Sequence, residues 1–336
     1  MLLPKKISKD SKVNLIHTSS PVEKEDWQSF NLTLAKLKQM FPNLNIFDVQ
    51  RTELDPRYLS GSEDERLKKF RQASKEVDWL APVYGGTGCG DIIRRLNEED
   101  LEKLRKNRPI VNGFSDTTFI LNFLYFKIKL LTFHFANASG IFDTKNSKLF
   151  FDIIFGKKNS FAFLENSYKW LSPAGAPKQK IEGLAIGGNF ITFRDMLDVC
   201  DIKPKSWEEY ILFIEDIGLD MEDLHRVIIS LDQKGIFKHI KALVIGRMAE
   251  KEFKDEVKKF NFIFGRIKEE EKVDHSFEYL ISDTIKERLT KNDPLYILKV
   301  DNFGHNVKTN PMIVPIGGKT IIHPDKKIEF VGPFVE

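Results

Sequence analysis

Cysteine is scarce in this sequence: Cys89 and Cys200 are the only two among 336 residues. Two thiols cannot build a disulfide framework or a four-thiolate zinc site. This scarcity is typical of a reducing compartment, and we expect the chain to act in the cytoplasm. The sequence also contains no His-x-x-x-His or Cys-x-x-Cys pair, so it predicts no metal site.

Long apolar runs and an excess of one charge are missing as well. No window approaches the roughly 18 apolar residues of a membrane span, and we expect no export signal at the N-terminus. Lysine plus arginine total 52 and aspartate plus glutamate total 49, with the two signs interspersed. The composition therefore predicts that neither a nucleic acid nor a membrane is the partner.

Apolar strand patterns alternate with helical patterns along the first half of the chain. The predicted order is strand 12–17, helix 24–40, strand 44–49, helix 63–76 and strand 79–84. Such alternation is typical of parallel strands crossed by helices. The second half alternates again and ends in a predicted β hairpin at 312–330.

A polar and aromatic stretch that contains proline and glycine separates the two halves, and we predict a linker there, at 161–182. The length also fits two compact units. We therefore predict an α/β protein with an N-terminal domain, 1–160, built on a parallel sheet flanked by helices. A mixed α/β, β-rich C-terminal domain would occupy 183–336.

A serine lies where a predicted buried strand, 109–112, meets a predicted helix, 117–127. Ser115 would occupy the abrupt corner between them, which exposes a hydroxyl above the sheet and places backbone N–H groups beside it. Serine is also a common helix N-cap, and this alternative stays open. Thr117 stands where the Gly-x-Ser-x-Gly elbow has its second glycine, which disfavours an ordinary α/β-hydrolase.

A second feature is the segment 84–90, Tyr-Gly-Gly-Thr-Gly-Cys-Gly, which we call the glycine loop. Its glycines allow the backbone to approach a ligand and to turn N–H groups toward it. No Gly-Lys-Ser/Thr ends the loop, and Asp91 replaces the third glycine of a dinucleotide motif. We interpret the loop as an oxyanion site, with a plain tight turn as the alternative. Cys89 is interpreted as a small loop residue, since nothing nearby marks a lowered thiol pKa.

A carboxylate and an imidazole follow two predicted strands of the second half. Glu215 comes directly after the apolar run 211–214, and His305 comes shortly after the predicted strand 296–300. Strand ends of this kind are where α/β sheets place ligands. Glu215 would alternatively cap a helix or pair with a lysine, and His134 is the chief rival of His305 as a base. A serine nucleophile needs both an imidazole and a carboxylate, so the patches together predict a serine hydrolase.

Together these patches resemble the serine LD-carboxypeptidase family, which also contains the microcin C immunity hydrolases. The resemblance covers most of the chain and extends to Ser19-Ser20-Pro21, Asp64-Glu65-Arg66, Gly187-Gly188-Asn189 and Pro315-Ile316-Gly317. It implies a catalytic triad of Ser115, His305 and Glu215 in a site between two domains. It further implies an oxyanion hole from the backbone N–H groups of Gly86 and Asp116, a substrate contact at Gly85, and a homodimer.

The activity that this resemblance implies is amide hydrolysis through an acyl-enzyme, without a cofactor. We favour a murein tetrapeptide, which would lose its terminal D-alanine, over a peptidyl or aminoacyl nucleotide of the microcin C type. An aromatic shelf for a nucleotide base would be Trp170, although this residue is equally well explained as a surface or core aromatic. A noncatalytic protein that binds a small anionic ligand at the glycine loop is the alternative of a different class.

Two departures from the family affect the expected substrate contacts. Relatives commonly have His-Gly-Pro where this chain has His134-Phe135-Ala136, and many have Tyr and Ala in the glycine loop where this chain has Thr87 and Cys89. A carboxypeptidase must also bind a terminal carboxylate with a cation or a cluster of N–H groups. The arginine candidates for this role are Arg94, Arg95 and Arg247.

Overall fold

The computed structural model describes residues 1–47, 58–172, 175–200, 202, 204–249, 277–288, 295–305, 307 and 310–336. The strands are β1 (Val13–Ile16), β2 (Leu44–Phe47), β3 (Trp79–Pro82), β4 (Ile110–Gly113), β5 (Thr132–His134), β6 (Ser160–Phe163), β7 (Lys169–Trp170), β8 (Ile181–Asn189), β9 (Tyr210–Ile217), β10 (Ala242–Ala249), β11 (Tyr296–Lys299), β12 (Val314–Ile316), β13 (Lys319–Ile322) and β14 (Ile328–Val331).

The α-helices are α1 (Trp27–Met40), α2 (Glu63–Ala73), α3 (Cys89–Ile93), α4 (Glu98–Asn107), α5 (Thr118–Ile128), α6 (Ser147–Ile154), α7 (Phe190–Leu197), α8 (Met221–Gln233), α9 (Ile236–His239) and α10 (Phe277–Arg288). Short 3-10 turns cover Lys24–Asp26, Ser115–Thr117, Ala138–Gly140 and Pro204–Glu209. None of the helices in the described ranges combines the length and the apolar character needed to cross a membrane.

The first sheet has the strand order β12-β5-β4-β3-β1-β2. Its strands β1 to β5 pair in parallel, and β12 from near the chain end joins the edge antiparallel to β5. Every residue of β1, β3 and β4 is buried, as expected for parallel strands that are covered on both faces. The predicted α/β class and the mainly parallel N-terminal sheet are therefore confirmed.

The second sheet has the order β6-β14-β13-β8-β9-β10-β11-β7. Its central strands β8, β9, β10 and β11 run parallel, whereas β13, β14, β6 and β7 add antiparallel edges. This mixed sheet agrees with the predicted β-rich second half. The predicted hairpin, with Gly317-Gly318 between its two apolar runs, is wrong in its pairing: β12, before these glycines, pairs with β5 of the first sheet, and β13, after them, forms a hairpin with β14.

The segment predicted as a linker, 161–182, contributes strands to the second sheet. Phe161 and Phe163 are buried and alternate with exposed residues in β6, and β7 pairs with β11. The division at 160 and 183 remains a prediction. Because β6 and β7 join the second sheet before residue 183 and β12 returns to the first sheet, the two sheets are interleaved along the chain.

Candidate active site

Ser115 occupies a strained corner between a strand and a helix. β4 ends at Gly113, a single 3-10 turn covers Ser115–Thr117, and α5 begins at Thr118. The φ of Ser115 is 62°, in the left-handed region that costs a residue with a side chain on the order of 1–3 kcal/mol. Thr117 is the residue before α5, and Ser115 makes no capping hydrogen bond there. The N-cap alternative for Ser115 is therefore wrong.

Asn137 holds this corner in place. Its side-chain oxygen accepts a hydrogen bond from Phe114 N at 2.9 Å, and its amide nitrogen donates to Phe114 O at 3.2 Å. The backbone of the residue before the serine is thus fixed on both of its polar atoms. Sequence reasoning did not identify Asn137, and its only signal was a polar residue shortly after β5.

Glu215, within β9 near its C-terminal end, and His305, in the loop after β11, form a hydrogen-bonded pair. Glu215 is fully buried, and its Oε2 accepts from His305 Nδ1 at 2.6 Å and from His305 N at 3.1 Å. Gly304 makes this approach sterically feasible: its φ is 120°, and an added Cβ would lie 2.9 Å from Glu215 Cβ. The bond to Nδ1 leaves Nε2 as the ring nitrogen that is free to exchange a proton with a substrate or a nucleophile.

Asp216, next to Glu215 in the sequence, makes the contact with a helix and so leaves Glu215 available to bond to His305. Asp216 accepts a hydrogen bond from Ile191 N at 3.0 Å, near the start of α7. The expected alternative, in which Glu215 caps a helix or pairs with a lysine, is therefore wrong: the adjacent aspartate interacts with the helix, and Glu215 bonds to the imidazole.

The pKa of His305 is raised above its ordinary value of 6.5. Burial by itself favours the neutral ring, but the charge of Glu215, the hydrogen bond to it and the charge of Asp216 together outweigh this effect. The ring is largely enclosed, with 15% of its side chain exposed. This environment suits a base that must become a stabilised imidazolium when it accepts a proton.

The serine corner and the Glu215–His305 pair meet through Phe114. The ring centroids of Phe114 and His305 lie 4.4 Å apart, so the residue before Ser115 packs on the imidazole. Across the residues that the structure describes, Ser115 Oγ makes no hydrogen bond, and its bond to the imidazole is therefore not formed in this state. Catalytic hydrogen bonds of this kind often tighten only in the substrate complex.

His134, the rival base, lies in the core between the two segments. It is 1% exposed, and its ring packs 4.9 Å from that of Phe303 and 5.3 Å from that of Phe114. Burial lowers the pKa of His134 to about 4. A buried ring that stays neutral in this way is poorly placed to receive the proton of Ser115, which leaves His305 as the better candidate.

A cavity of about 200 Å³ opens beside the loop of His305. Its lining is mainly apolar and includes Phe114, Phe303 and Met312, together with Phe135 and Ala136. The last two are the positions where this chain departs from the His-Gly-Pro pattern. The departure therefore changes the wall of a cavity next to the site.

The glycine loop packs directly on the serine. A Cβ added to Gly85 would lie 3.0 Å from Ser115 Cβ and 3.3 Å from its Oγ. Gly86 has a φ of 98°, and an added Cβ would lie 2.0 Å from Ser20 Oγ, so only glycine fits there. The loop is thus next to the nucleophile candidate, as an oxyanion site requires.

Asp116 points its carboxylate back to this loop and accepts a hydrogen bond from Cys89 N at 2.8 Å. Burial raises the pKa of Asp116 to about 6. Both cysteines are buried, and burial raises the thiol pKa of Cys89 far above its ordinary value and that of Cys200 to about 11. Neither cysteine is therefore activated as a nucleophile.

Trp170 pairs with Leu298 of β11, the strand that leads into the loop of His305. It is in the edge strand β7, where its Nε1 donates to Pro324 O at 3.1 Å and its ring packs 6.2 Å from that of Tyr296. Within the described part of the chain it has neither a ring contact nor a hydrogen bond with Ser115 or His305. Its environment is that of a half-buried sheet residue.

The three arginine candidates differ in their surroundings. Arg95 lies 2.9 Å from both Glu63 and Asp64, and Arg94 lies 4.0 Å from Glu63, so acidic residues of α2 already engage both. Arg247 instead lies in β10, where its N donates to Phe303 O at 2.7 Å, close to His305 in the sequence. Its side chain is exposed and forms no ion pair with any residue described by the structure.

Arg66 was identified in the sequence only as part of a family motif, yet it is fully buried under the glycine loop. Its signal was its position on the buried face of α2, which it shares with Leu67, Phe70 and Ala73.

The described residues form no cluster of His, Cys, Asp and Glu that would hold a metal ion.

Comparisons with known proteins agree with this architecture. Residues 13–135 match the model of the LD-carboxypeptidase N-terminal domain, and residues 182–322 match that of the LD-carboxypeptidase C-terminal domain. A Bacillus subtilis protein named "Probable murein peptide carboxypeptidase" is 27% identical over 69% of this chain and 70% of its own length. The Escherichia coli microcin C7 self-immunity protein MccF is 24% identical over 56% of this chain and 62% of its own length.

Solved structures show the same fold over nearly the whole chain. MccF in complex with glutamyl sulfamoyl guanosine superposes with a TM-score of 0.74 at 16% identity, covering 100% of both chains. The muramoyltetrapeptide carboxypeptidase from Oxalobacter formigenes superposes with a TM-score of 0.68 at 21% identity, covering 95% of this chain and 99% of its own. At these identities the likeness concerns the fold alone.

Proposed function

The chain belongs to the LD-carboxypeptidase family of serine peptidases, and from this premise we propose that Ser115, Glu215 and His305 are its catalytic triad. The observation that carries the proposal is the 2.6 Å hydrogen bond between Glu215 Oε2 and His305 Nδ1. This pair lies against the strained corner of Ser115 through the contact of Phe114 with the imidazole. A buried carboxylate, an oriented imidazole and a serine hydroxyl are the three parts that a serine hydrolase needs.

The proposed mechanism begins with attack of Ser115 Oγ on the carbonyl carbon of the scissile amide. His305 Nε2 takes the hydroxyl proton and later gives it to the leaving amine, while Glu215 keeps Nδ1 protonated and stabilises the imidazolium. The N–H groups of Gly86 and Asp116 would receive the negative charge that develops on the carbonyl oxygen. Water then hydrolyses the acyl-enzyme: His305 takes a proton from the attacking water and gives it to Ser115 Oγ as that oxygen leaves the acyl carbon.

We propose a murein tetrapeptide as the substrate, with release of its terminal D-alanine. Support comes from both family models, which are those of LD-carboxypeptidase domains, and from the relative named for murein peptides. Arg247 is the proposed ligand of the terminal carboxylate, because it is the arginine candidate beside the loop of His305 that has no acidic partner among the described residues.

A peptidyl or aminoacyl nucleotide is the second candidate substrate. MccF, whose fold covers this whole chain, has been solved with glutamyl sulfamoyl guanosine. The proposed shelf for its base is Trp170, which lies at the sheet edge with its Nε1 bonded to Pro324 O; a base stacked on this ring would distinguish the nucleotide from the tetrapeptide.

The experiment is to incubate the pure protein separately with the murein tetrapeptide and with a glutamyl sulfamoyl nucleotide, and to follow both by mass spectrometry. We expect loss of D-alanine from the tetrapeptide and no such loss with Ser115→Ala. Cleavage of the nucleotide alone would replace the first substrate with the second. Turnover of either by Ser115→Ala within tenfold of wild type would contradict the triad.

We also propose that the protein is a cytoplasmic homodimer, as the family resemblance and the low cysteine content led us to expect. Sedimentation velocity at micromolar concentration tests the oligomeric state. A single species near the 38.9 kDa monomer mass would contradict the dimer.

A further inference from the structure

We propose that the side chains of Asp116 and Arg66 are positioning residues that hold the glycine loop, residues 84–90, in the geometry of an oxyanion hole. The inference rests on the proposed function, because it concerns the two backbone N–H groups assigned to that hole. These groups belong to separate segments of the chain: Gly86 lies in the loop, and Asp116 follows the nucleophile candidate. Their spacing must therefore be fixed by contacts between the segments.

The carboxylate of Asp116 supplies the first of these contacts. Its Oδ2 accepts a hydrogen bond from Cys89 N at 2.8 Å, which joins the serine corner directly to the end of the glycine loop. Asp116 is 9% exposed, so this bond is shielded from water and is stronger than a surface bond. One residue thus offers its backbone N–H to the hole and uses its side chain to hold the segment that carries the other donor.

The guanidinium of Arg66 supplies the second contact, at the residue before Cys89 in the loop. Its Nη1 donates to Gly88 O at 2.6 Å and to Thr18 O at 2.7 Å, just beyond β1, and its Nη2 donates to Asp91 at 3.1 Å. An added Cβ at Gly88 would lie 2.7 Å from Nη1, so the glycine allows this approach. Burying an arginine is costly unless its donors are used; here Nη1 ties the loop to the segment after β1, whereas Nε has no hydrogen-bond partner among the described residues.

Ser20 completes the support beneath Gly86. Its N donates to Gly85 O at 3.1 Å, and its Oγ accepts from Thr87 N at 3.3 Å. The loop is therefore held at residues on both sides of Gly86 and at its end, while the N–H of Gly86 itself donates to no residue that the structure describes and so is available to a ligand. Donors that are fixed before the reaction need no reorganisation when charge develops, which is the property an oxyanion hole requires.

The test compares Asp116→Ala and Asp116→Asn with wild type. Asparagine keeps an oxygen that can accept from Cys89 N, but without the charge that strengthens the bond, whereas alanine keeps none. Removing an oxyanion donor costs about 10²–10³ in rate, and displacing one costs less. We expect kcat on the murein tetrapeptide to fall about 10–100-fold for alanine and about 3–10-fold for asparagine, with KM within about twofold. The rate of Ser115 labelling by a peptidyl phosphonate should fall in parallel.

Asp100→Ala is the matched control. Asp100 is 8% exposed and also accepts a backbone N–H, that of Asn97 at 3.1 Å, but it lies at the start of α4. We expect this variant to lower the melting temperature and to leave kcat unchanged. If both Asp116 variants lowered only the melting temperature, the positioning role would be overturned.

Should Asp116→Ala not fold, Asp116→Asn decides: a 3–10-fold loss of kcat at constant KM supports the proposal, and an unchanged kcat overturns it. Failure of the proposed function gives a different result. In that case wild type itself would neither cleave the tetrapeptide nor be labelled at Ser115.

Discussion

Replacing Glu215 by glutamine perturbs the proposed site at its most informative point. The substitution preserves size and burial but removes the charge that raises the pKa of His305. A glutamine can also present its N–H₂ group to Nδ1, which favours the tautomer that cannot accept the proton of Ser115. The corresponding loss in a serine–histidine–aspartate triad is about 10⁴ in kcat. Because Glu215, the acceptor of the 2.6 Å bond from Nδ1, is fully buried here, we expect a loss of about 10³–10⁴, or about 4–5.5 kcal/mol of transition-state stabilisation.

The pH dependence of the same variant has a defined sign. His305 must be neutral to act as a base, so kcat/KM of wild type should fall as the pH drops through its raised pKa. Without the charge of Glu215, the effect of burial dominates and lowers the pKa of His305 below 6.5. In Glu215→Gln the acid limb of kcat/KM should therefore move to lower pH, and the plateau value of kcat/KM should fall.

The assay is D-alanine release from the murein tetrapeptide between pH 5 and 9, with folding checked by circular dichroism. Glu329→Gln is a matched control, since Glu329 Oε2 on β14 lies 3.0 Å from Nε2 of His323, just after β13, in a half-buried pair. We expect that control to match wild type in both plateau and acid limb. A loss below tenfold in Glu215→Gln, with an unmoved acid limb, would refute the role of Glu215.

Three further substitutions test separate parts of the site. Ser115→Gly should abolish turnover yet raise the melting temperature, because glycine relieves the strain of a φ of 62°; a lower melting temperature would contradict the strain. Arg247→Ala should raise KM for the tetrapeptide about tenfold or more with little change in kcat, whereas Arg94→Ala, whose partner is Glu63, should leave KM unchanged. Between pH 6.5 and about 4, His134 is protonated in the unfolded chain but neutral in the folded protein. Lowering the pH through this range should therefore lower the free energy of unfolding. Between pH 7.5 and 4.5, the free energy of unfolding measured by urea titration should fall by about 2 kcal/mol less in His134→Phe than in wild type. Equal losses in the two proteins would argue against a neutral buried ring.

The strand ends that carry the proposed triad were predictable from sequence because apolar runs define them. The residues 211–214 are a continuous apolar run, and such a run before a carboxylate indicates a buried parallel strand whose end faces a ligand. The corner at Ser115 was predictable for the same reason, although its left-handed φ was not. That conformation depends on the hydrogen bonds from Asn137, which lies beyond the next strand.

The parts that were missed depend on contacts between distant segments. β12 pairs with β5 in the first sheet although its sequence neighbours β13 and β14 lie in the second, and no local pattern records that choice. β6 has only Phe161 and Phe163 as buried residues, which is too short an alternation to stand out in a polar stretch. Arg66 differs, because its place beside Leu67 on the buried face of α2 could have been read from the sequence, although its burial was not predicted.

The central claim, that Ser115 is the nucleophile activated by His305, is tested most directly by covalent labelling. Wild type and His305→Ala would be treated with a peptidyl phosphonate, digested and analysed by mass spectrometry. We expect one phosphonate on the peptide that contains Ser115, and a labelling rate at least about 10³-fold higher in wild type than in His305→Ala. Labelling of another residue, or equal rates in the two proteins, would contradict it.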